Sequence, residues 1–227
     1  MNTEIHYRPG NSAARVDLAP GESFTAEGGS MIAMSGDMQI ETTTHKKGKG
    51  SLLKSLKRLL TGESLFLNHY TAGANGGHVW VAPTLSGDIE EVTLNQETLI
   101  VQGGSFLAAE PTVDMDMNWQ GFQSMFSGES LFWISMKGSG KLLMNSFGTI
   151  YSIDVDGDFI VDTGHIVAFQ ETLSFKISKA GKSWISSFLG GEGLVCRFSG
   201  KGKLYCQSHN PSAFGAAMTP HLRPRRG

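Results

Sequence analysis

Phe24-Thr25-Ala26-Glu27-Gly28-Gly29-Ser30-Met31-Ile32-Ala33-Met34 decides the fold, because the chain repeats it twice. The second copy is Leu99-Ile100-Val101-Gln102-Gly103-Gly104-Ser105-Phe106-Leu107-Ala108-Ala109. The third is Phe159-Ile160-Val161-Asp162-Thr163-Gly164-His165-Ile166-Val167-Ala168-Phe169. Aligned on Gly29, Gly104 and Gly164, each copy has an apolar residue five positions earlier and Ala four positions later (Ala33, Ala108, Ala168). Two positions before the glycine stands Glu27, Gln102 or Asp162. Apolar runs flanking a Gly-Gly pair read as a strand broken by a bulge or a close backbone approach.

A second motif follows each copy: Gly62-Glu63-Ser64-Leu65-Phe66, Gly128-Glu129-Ser130-Leu131-Phe132 and Gly191-Glu192-Gly193-Leu194-Val195. Two motifs in constant order, with the second at spacings of 66 and 63 residues, indicate internal duplication. We therefore divide the chain into units 1–80, 81–144 and 145–216, followed by a flexible basic tail over 217–227, all in one compact domain. Three such units suggest closure about a pseudo-threefold axis.

Around each first motif the apolar residues alternate, as in Ala14-Arg15-Val16-Asp17-Leu18, Val113-Asp114-Met115-Asp116-Met117 and Leu173-Ser174-Phe175-Lys176-Ile177. Pro20-Gly21, Asn95-Gln96-Glu97 and Asp156-Gly157 have turn chemistry, and glycine-centred turns are expected at Gly73–Gly77, Gly138–Gly140 and Gly200–Gly202. Many short alternating strands separated by glycine turns predict an all-β fold. The period changes before each second motif. Leu52, Leu53, Leu56, Leu59 and Leu60 share one helical face, and Trp119–Phe126 and Trp184–Leu189 are their counterparts. Each unit is thus expected to carry one short helix, ended by the glycine of its second motif.

Composition narrows the class. Glycine makes up 29 of the 227 residues, about 13% against a usual ~7%. The net charge of −2 gives no general affinity for polyanions. Met1 to Arg15 lacks the apolar core of a secretory signal, and no window approaches the ~20 apolar residues of a membrane-spanning helix. The cytoplasm is the expected compartment.

The three Gly-Gly-type strands, the Gly-Glu-Ser-Leu-Phe strand and the closing Ser212-Ala213-Phe214 together resemble a widespread family of unknown function over about residues 4–216. That family is described as three domains similar to the tryptophan RNA-binding attenuation protein, and it includes a fungal mitochondrial biogenesis protein of the inner membrane. The resemblance implies three copies of a β-barrel, double-stranded β-helix-like unit, and it supplies no catalytic residues. Thr163-Gly164-His165 departs from the pattern by losing the double glycine, and Gly193 departs by replacing serine.

Candidate chemistry is sparse. Glu63, Glu129 and Glu192 hold equivalent positions and could converge to hold a cation; threefold repetition equally suits a structural role fixing the corner between helix and strand. Asp154-Val155-Asp156-Gly157-Asp158 has its glycine two positions early for a calcium loop and reads as a hairpin turn. The seven histidines show no local metal-site spacing, so neither metal nor cofactor is expected. A hairpin centred on Lys201 would set Cys196 opposite Cys206, although two reduced apolar fillers suit a reducing compartment. No nucleophile elbow, phosphate loop or dinucleotide fingerprint is present, which favours a non-enzymatic chain.

One segment breaks the symmetry. Residues 44–62 contain no acid but carry Lys46, Lys47, Lys49, Lys54, Lys57 and Arg58. A basic amphipathic helix of this kind, within an insertion spanning 44–61, could lie on an anionic membrane surface, but the uncharged helices expected at the same place in the other units favour leucines capping the barrel beneath solvated lysines. The expected role is a scaffold or assembly protein, homo-oligomeric through exposed strand edges and peripheral to membranes. The alternative is a small-ligand or nucleic-acid binder of the attenuation-protein type. Nucleic acid is disfavoured, because basic residues and aromatics are not interleaved on the repeated strands.

Overall fold

The computed structural model describes residues 1–44, 65–117, 119, 132–179 and 194–222. The described residues are predominantly β, as the alternating pattern requires. The first third contributes β1 (Asn2–His6), β2 (Ala13–Leu18), β3 (Ser23–Glu27), β4 (Met31–Met34), β5 (Met38–Thr44), β6 (Phe66–Ala72) and β7 (Gly77–Val81). The middle third contributes β8 (Ile89–Gln102), β9 (Phe106–Ala109), β10 (Val113–Asp116) and β11 (Trp133–Asn145). The last contributes β12 (Ile150–Asp162), β13 (Ile166–Gln170), β14 (Ser174–Lys179) and β15 (Leu194–Gln207), followed by helix α1 (Pro211–Met218).

The strands form two sheets. One runs β1-β2-β7-β4, and the other runs β12-β15-β13-β8-β11-β9-β3-β6-β5, with β10 on β11 and β14 on β15. The two-residue period places Ala14, Val16 and Leu18 of β2 and Phe24 and Ala26 of β3 in the interior. Packing is continuous along the chain. A cluster around Phe24, Tyr70 and Val79 takes in Leu107 and Leu143 from the middle third. A cluster around Phe106 and Met136 takes in Val167 and Ala168 from the last. A third, around Phe169, Phe198 and Leu204, takes in Ile100 and Trp133.

Four expected turns are absent. Asn95-Gln96-Glu97 lies inside continuous β8, with Gln96 at φ 70°. Gly138, Gly157 and Gly200 adopt positive φ (135°, 107° and 117°), yet each lies inside a continuous strand. Gly157 pairs directly with Gly200, so β12 and β15 kink together without reversing, and at Gly138 the β11 register shifts by a bulge. Positive φ serves a kink as well as a turn, and the cross-strand partner decides between them. The expected turns at 95–97, 138–140, 156–157 and 200–202 are therefore corrected to long kinked strands. Only in the first third do Pro20-Gly21 and Gly73–Gly76 separate strands, with β6 and β7 passing to different sheets.

This correction removes the Cys196–Cys206 pairing. Both cysteines lie on β15, ten residues or about 33 Å apart along the strand, and both thiols are buried and free.

Asn210 caps α1 by accepting hydrogen bonds from the amides of Ser212 and Ala213, with Pro211 in the first turn. The helix crosses the boundary drawn at 216, and a 3-10 turn continues over Thr219–His221. Phe214 meets Phe147 edge-on.

Candidate functional site: two open strand edges

The motif that opens the sequence is a corner. Gly29 (φ 95°) turns the chain from β3 into β4, while short 3-10 turns at Gly103–Ser105 and Thr163–His165 carry β8 into β9 and β12 into β13. Close approach accounts for Gly28, since a Cβ there would stand 2.8 Å from the Phe66 Cβ. At Gly103 a Cβ would enter the Phe132 ring. The corners at Gly103–Ser105 and Thr163–His165 deliver the second half of the motif to the preceding third of the chain, whereas β4 pairs with β7 of its own third.

Two such deliveries occur. Ala108 of β9 pairs with Ala26 of β3, and Ala109 pairs with Thr25. Sixty residues further on, Ala168 of β13 pairs with Val101 of β8, and Phe169 pairs with Ile100. The recurrent alanine is thus the junction residue. Ala108 and Ala168 are wholly buried, and so are their apolar neighbours Phe106, Leu107, Ile166 and Val167.

The third equivalent contact would set Ala33 of β4 against Val161 of β12. Among the described residues no pairing joins these strands, and they end their respective sheets. β4 ends the four-stranded sheet and β12 ends the larger one, and both present apolar side chains to solvent, Met31 (38% exposed), Ile32 (58%) and Met34 (39%) on β4, and Phe159 (38%) and Ile160 (50%) on β12. The same sequence element is therefore buried in two copies and bare in the third.

Of the residues singled out in the sequence, Gly29, Gly104 and Gly164 lie at the three corners. Glu63, Glu129, Glu192, Lys46, Lys47, Lys49, Lys54, Lys57 and Arg58 lie outside the described residues, as do the three expected helices. His165 Nδ1 donates to the Gln207 carbonyl (2.8 Å), and His69 bridges Thr25 and Thr43. No group of His, Cys, Asp and Glu among the described residues is arranged to hold a metal. Among them, no helix is long and apolar enough to cross a membrane.

Comparison with known proteins covers this whole architecture. An uncharacterized protein of Streptococcus pyogenes serotype M6 is 30% identical over 213 residues, spanning 91% of this chain and 85% of that protein. A crystal structure of a Streptococcus pyogenes protein has a TM-score of 0.79 at 28% identity, covering 97% of this chain and 99% of the solved one. The signature of the family described as mitochondrial biogenesis AIM24 matches residues 3–209, from within β1 to just past the end of β15. By its sequence, and in agreement with its strand arrangement, the chain belongs to the mitochondrial biogenesis AIM24 family, whose description carries no activity.

Proposed function

We propose that the chain is a non-enzymatic scaffold that assembles head to tail with copies of itself, β4 of one copy pairing with β12 of the next. The carrying observation is the pair of bare apolar edges at the junction position left unpaired among the described residues. By analogy with the two internal junctions, Ala33 meets Val161 and Met34 meets Ile160 of the neighbour. Each chain then contributes three pseudo-equivalent units of the attenuation-protein type. This reading is supported by the shared element order β3-β4-β5-β6, β8-β9-β10-β11 and β12-β13-β14-β15. Such a contact is heterologous, so it gives rings if the rotation closes and filaments if it does not. Burying the exposed part of five large apolar side chains contributes about 1 kcal/mol each. Backbone pairing then supplies register and specificity.

The test uses two single variants, Ile32→Lys and Ile160→Lys, each blocking one edge. Light scattering should give a mass of several chains for the wild type and 24.5 kDa for either variant alone. An equimolar mixture should give two-chain complexes, because each variant keeps one complementary edge. A monomeric wild type, or a mixture that stays monomeric, would refute the proposal.

Docking of this scaffold on an anionic membrane is a second reading, with the cytoplasm as compartment. It is carried by the acid-free composition of 44–62 with its six basic residues. Salt-sensitive flotation with anionic liposomes, lost in a Lys54→Glu, Lys57→Glu, Arg58→Glu variant, would support it; no binding by the wild type would remove it.

A further inference from the structure

On the surface where the connections between thirds converge lies a cleft of about 320 Å³. Its walls include Glu27 from the first copy of the Gly-Gly motif, Gln102 and Ser105 from its second copy, Asn145 and Gln207 from the ends of β11 and β15, and Phe147 from the connection after β11. Two of these amides are committed to the fold. Asn145 donates to the Phe106 carbonyl (3.3 Å), and Gln207 donates to the Gly164 carbonyl (2.9 Å) while accepting from the Phe147 amide (2.8 Å). They are rigid walls.

Glu27 and Gln102 are not committed. Neither the Glu27 carboxyl nor the Gln102 side-chain amide has a hydrogen-bond or ion-pair partner among the described residues. The third member of this recurrent position behaves differently: Asp162 accepts from the Gly164 amide (2.8 Å) and from Asn210 Nδ2 (3.5 Å). Asp162 thus serves its corner, whereas Glu27 and Gln102 leave their polar atoms open to the cleft. Glu27 is also the one charged side chain in the lining. Burial alone pushes its carboxyl up to about 7.

We propose that this cleft binds a small organic cation, its ammonium group seated between Glu27 and Gln102 and its apolar portion against Phe147 and Leu85. The cleft's volume is at the small end of the range for small-molecule sites, about 300–1,000 Å³. An amino acid or other zwitterion does not fit, because the lining offers no cation to its carboxylate. A hard metal ion does not fit either, as one carboxylate falls short of the oxygen shell that calcium or magnesium requires.

The other charged or titratable groups on the strands that supply the walls are Glu90, Glu91 and Glu97 on β8, Lys137 and Lys141 on β11, and Cys196, Arg197, Lys201, Lys203, Tyr205 and Cys206 on β15, with His69, His165 and His209 on neighbouring segments. None of them lines the cleft. Ammonium binding therefore follows ionisation of Glu27.

The test is calorimetric titration of the full chain with phenethylamine hydrochloride, beside 2-phenylethanol and 3-phenylpropionate as neutral and anionic counterparts. Saturable binding of the amine alone is expected. Its affinity should rise up to about tenfold from pH 6 to pH 8 as the carboxyl ionises. Glu27→Gln should weaken binding at pH 8 by at least tenfold and abolish the pH dependence, with Gln102→Leu giving a smaller loss. Absence of saturable binding by the amine, equal binding of the alcohol, or undiminished binding by folded Glu27→Gln would overturn the proposal. The mass of each variant by light scattering separates this outcome from that of the assembly test, because the cleft lies within one chain.

Discussion

Replacing Glu27 by Gln should make the protein more stable, and increasingly so as the pH rises. The half-buried carboxyl has no partner to stabilise its charge, and desolvation raises its pKa from the ordinary 4.5 to about 7. The folded state therefore holds this proton more tightly than the unfolded chain, and stability is lost as the pH rises from about 4.5 through about 7. At about 1.4 kcal/mol per tenfold change in proton affinity, the ionised carboxylate costs at most about 3 kcal/mol. Glutamine keeps the shape and removes the charge. Urea unfolding of both proteins should show their stabilities diverging from under about 1 kcal/mol at pH 5 to about 3 kcal/mol at pH 8. The observable is the change in the difference between the two proteins, in which groups common to both cancel. The Glu22 carboxyl, lowered by its hydrogen bond from the terminal amine, and the raised Met1 amine cancel in that difference. A constant difference across pH 5–8 would show that Glu27 is solvated or paired, and would undermine the cleft as well.

Further consequences follow from burial and pairing. In the background of Ile160→Lys, Phe106→Ala should cost about 3–5 kcal/mol by opening a core cavity, while the equivalent Met31→Ala should cost under about 1 kcal/mol; chemical denaturation of the two variants checks the contrast. Asp88, 2% exposed, accepts two hydrogen bonds from Arg8 (2.8 and 3.0 Å), so Arg8→Ala should destabilise by about 2–3 kcal/mol, moderated because Arg8 is half open to solvent. Burial pushes the Cys196 and Cys206 thiols up to about 12, so neither should react with a disulfide reagent at pH 8 until urea unfolds the chain, when both should react.

The all-β class was legible because the two-residue period survives along most strands, and the duplication was legible from two motifs in fixed order. The strand ends were not. Gly157 and Gly200 look like turn residues from either strand alone, and only their direct pairing shows that both strands continue. Ala33, Ala108 and Ala168 were visible as a repeated position, but the junction role of Ala108 and Ala168 depends on strands from other thirds. Glu27, Gln102 and Asp162 were likewise visible as one recurrent polar position. Nothing local separates the bonded Asp162 from the unbonded Glu27, because residues near 85, 147 and 207 close the cleft.

Edge chemistry makes the strongest case that the two bare ends are meant to meet. Sheet edges that must not pair are blunted by charge or covered. In this chain β1 covers β2, and its own outer edge carries Glu4. Glu41 stands on β5, Asp114 and Asp116 on β10, and Lys176 and Lys179 on β14, each at the margin of a sheet. The stretches 31–34 and 159–161 have no charge at all and are bounded by Glu27, Asp158 and Asp162. If these edges faced water permanently, a single lysine in either stretch would protect the chain at no cost to its core, since Ile32 and Ile160 touch solvent already. The pattern is explained if the same element that buries Leu107 and Val167 inside the chain also buries Ile32 against the next chain. The number of open junctions then stays at one per chain, which is why blocking either edge alone should be enough to stop assembly.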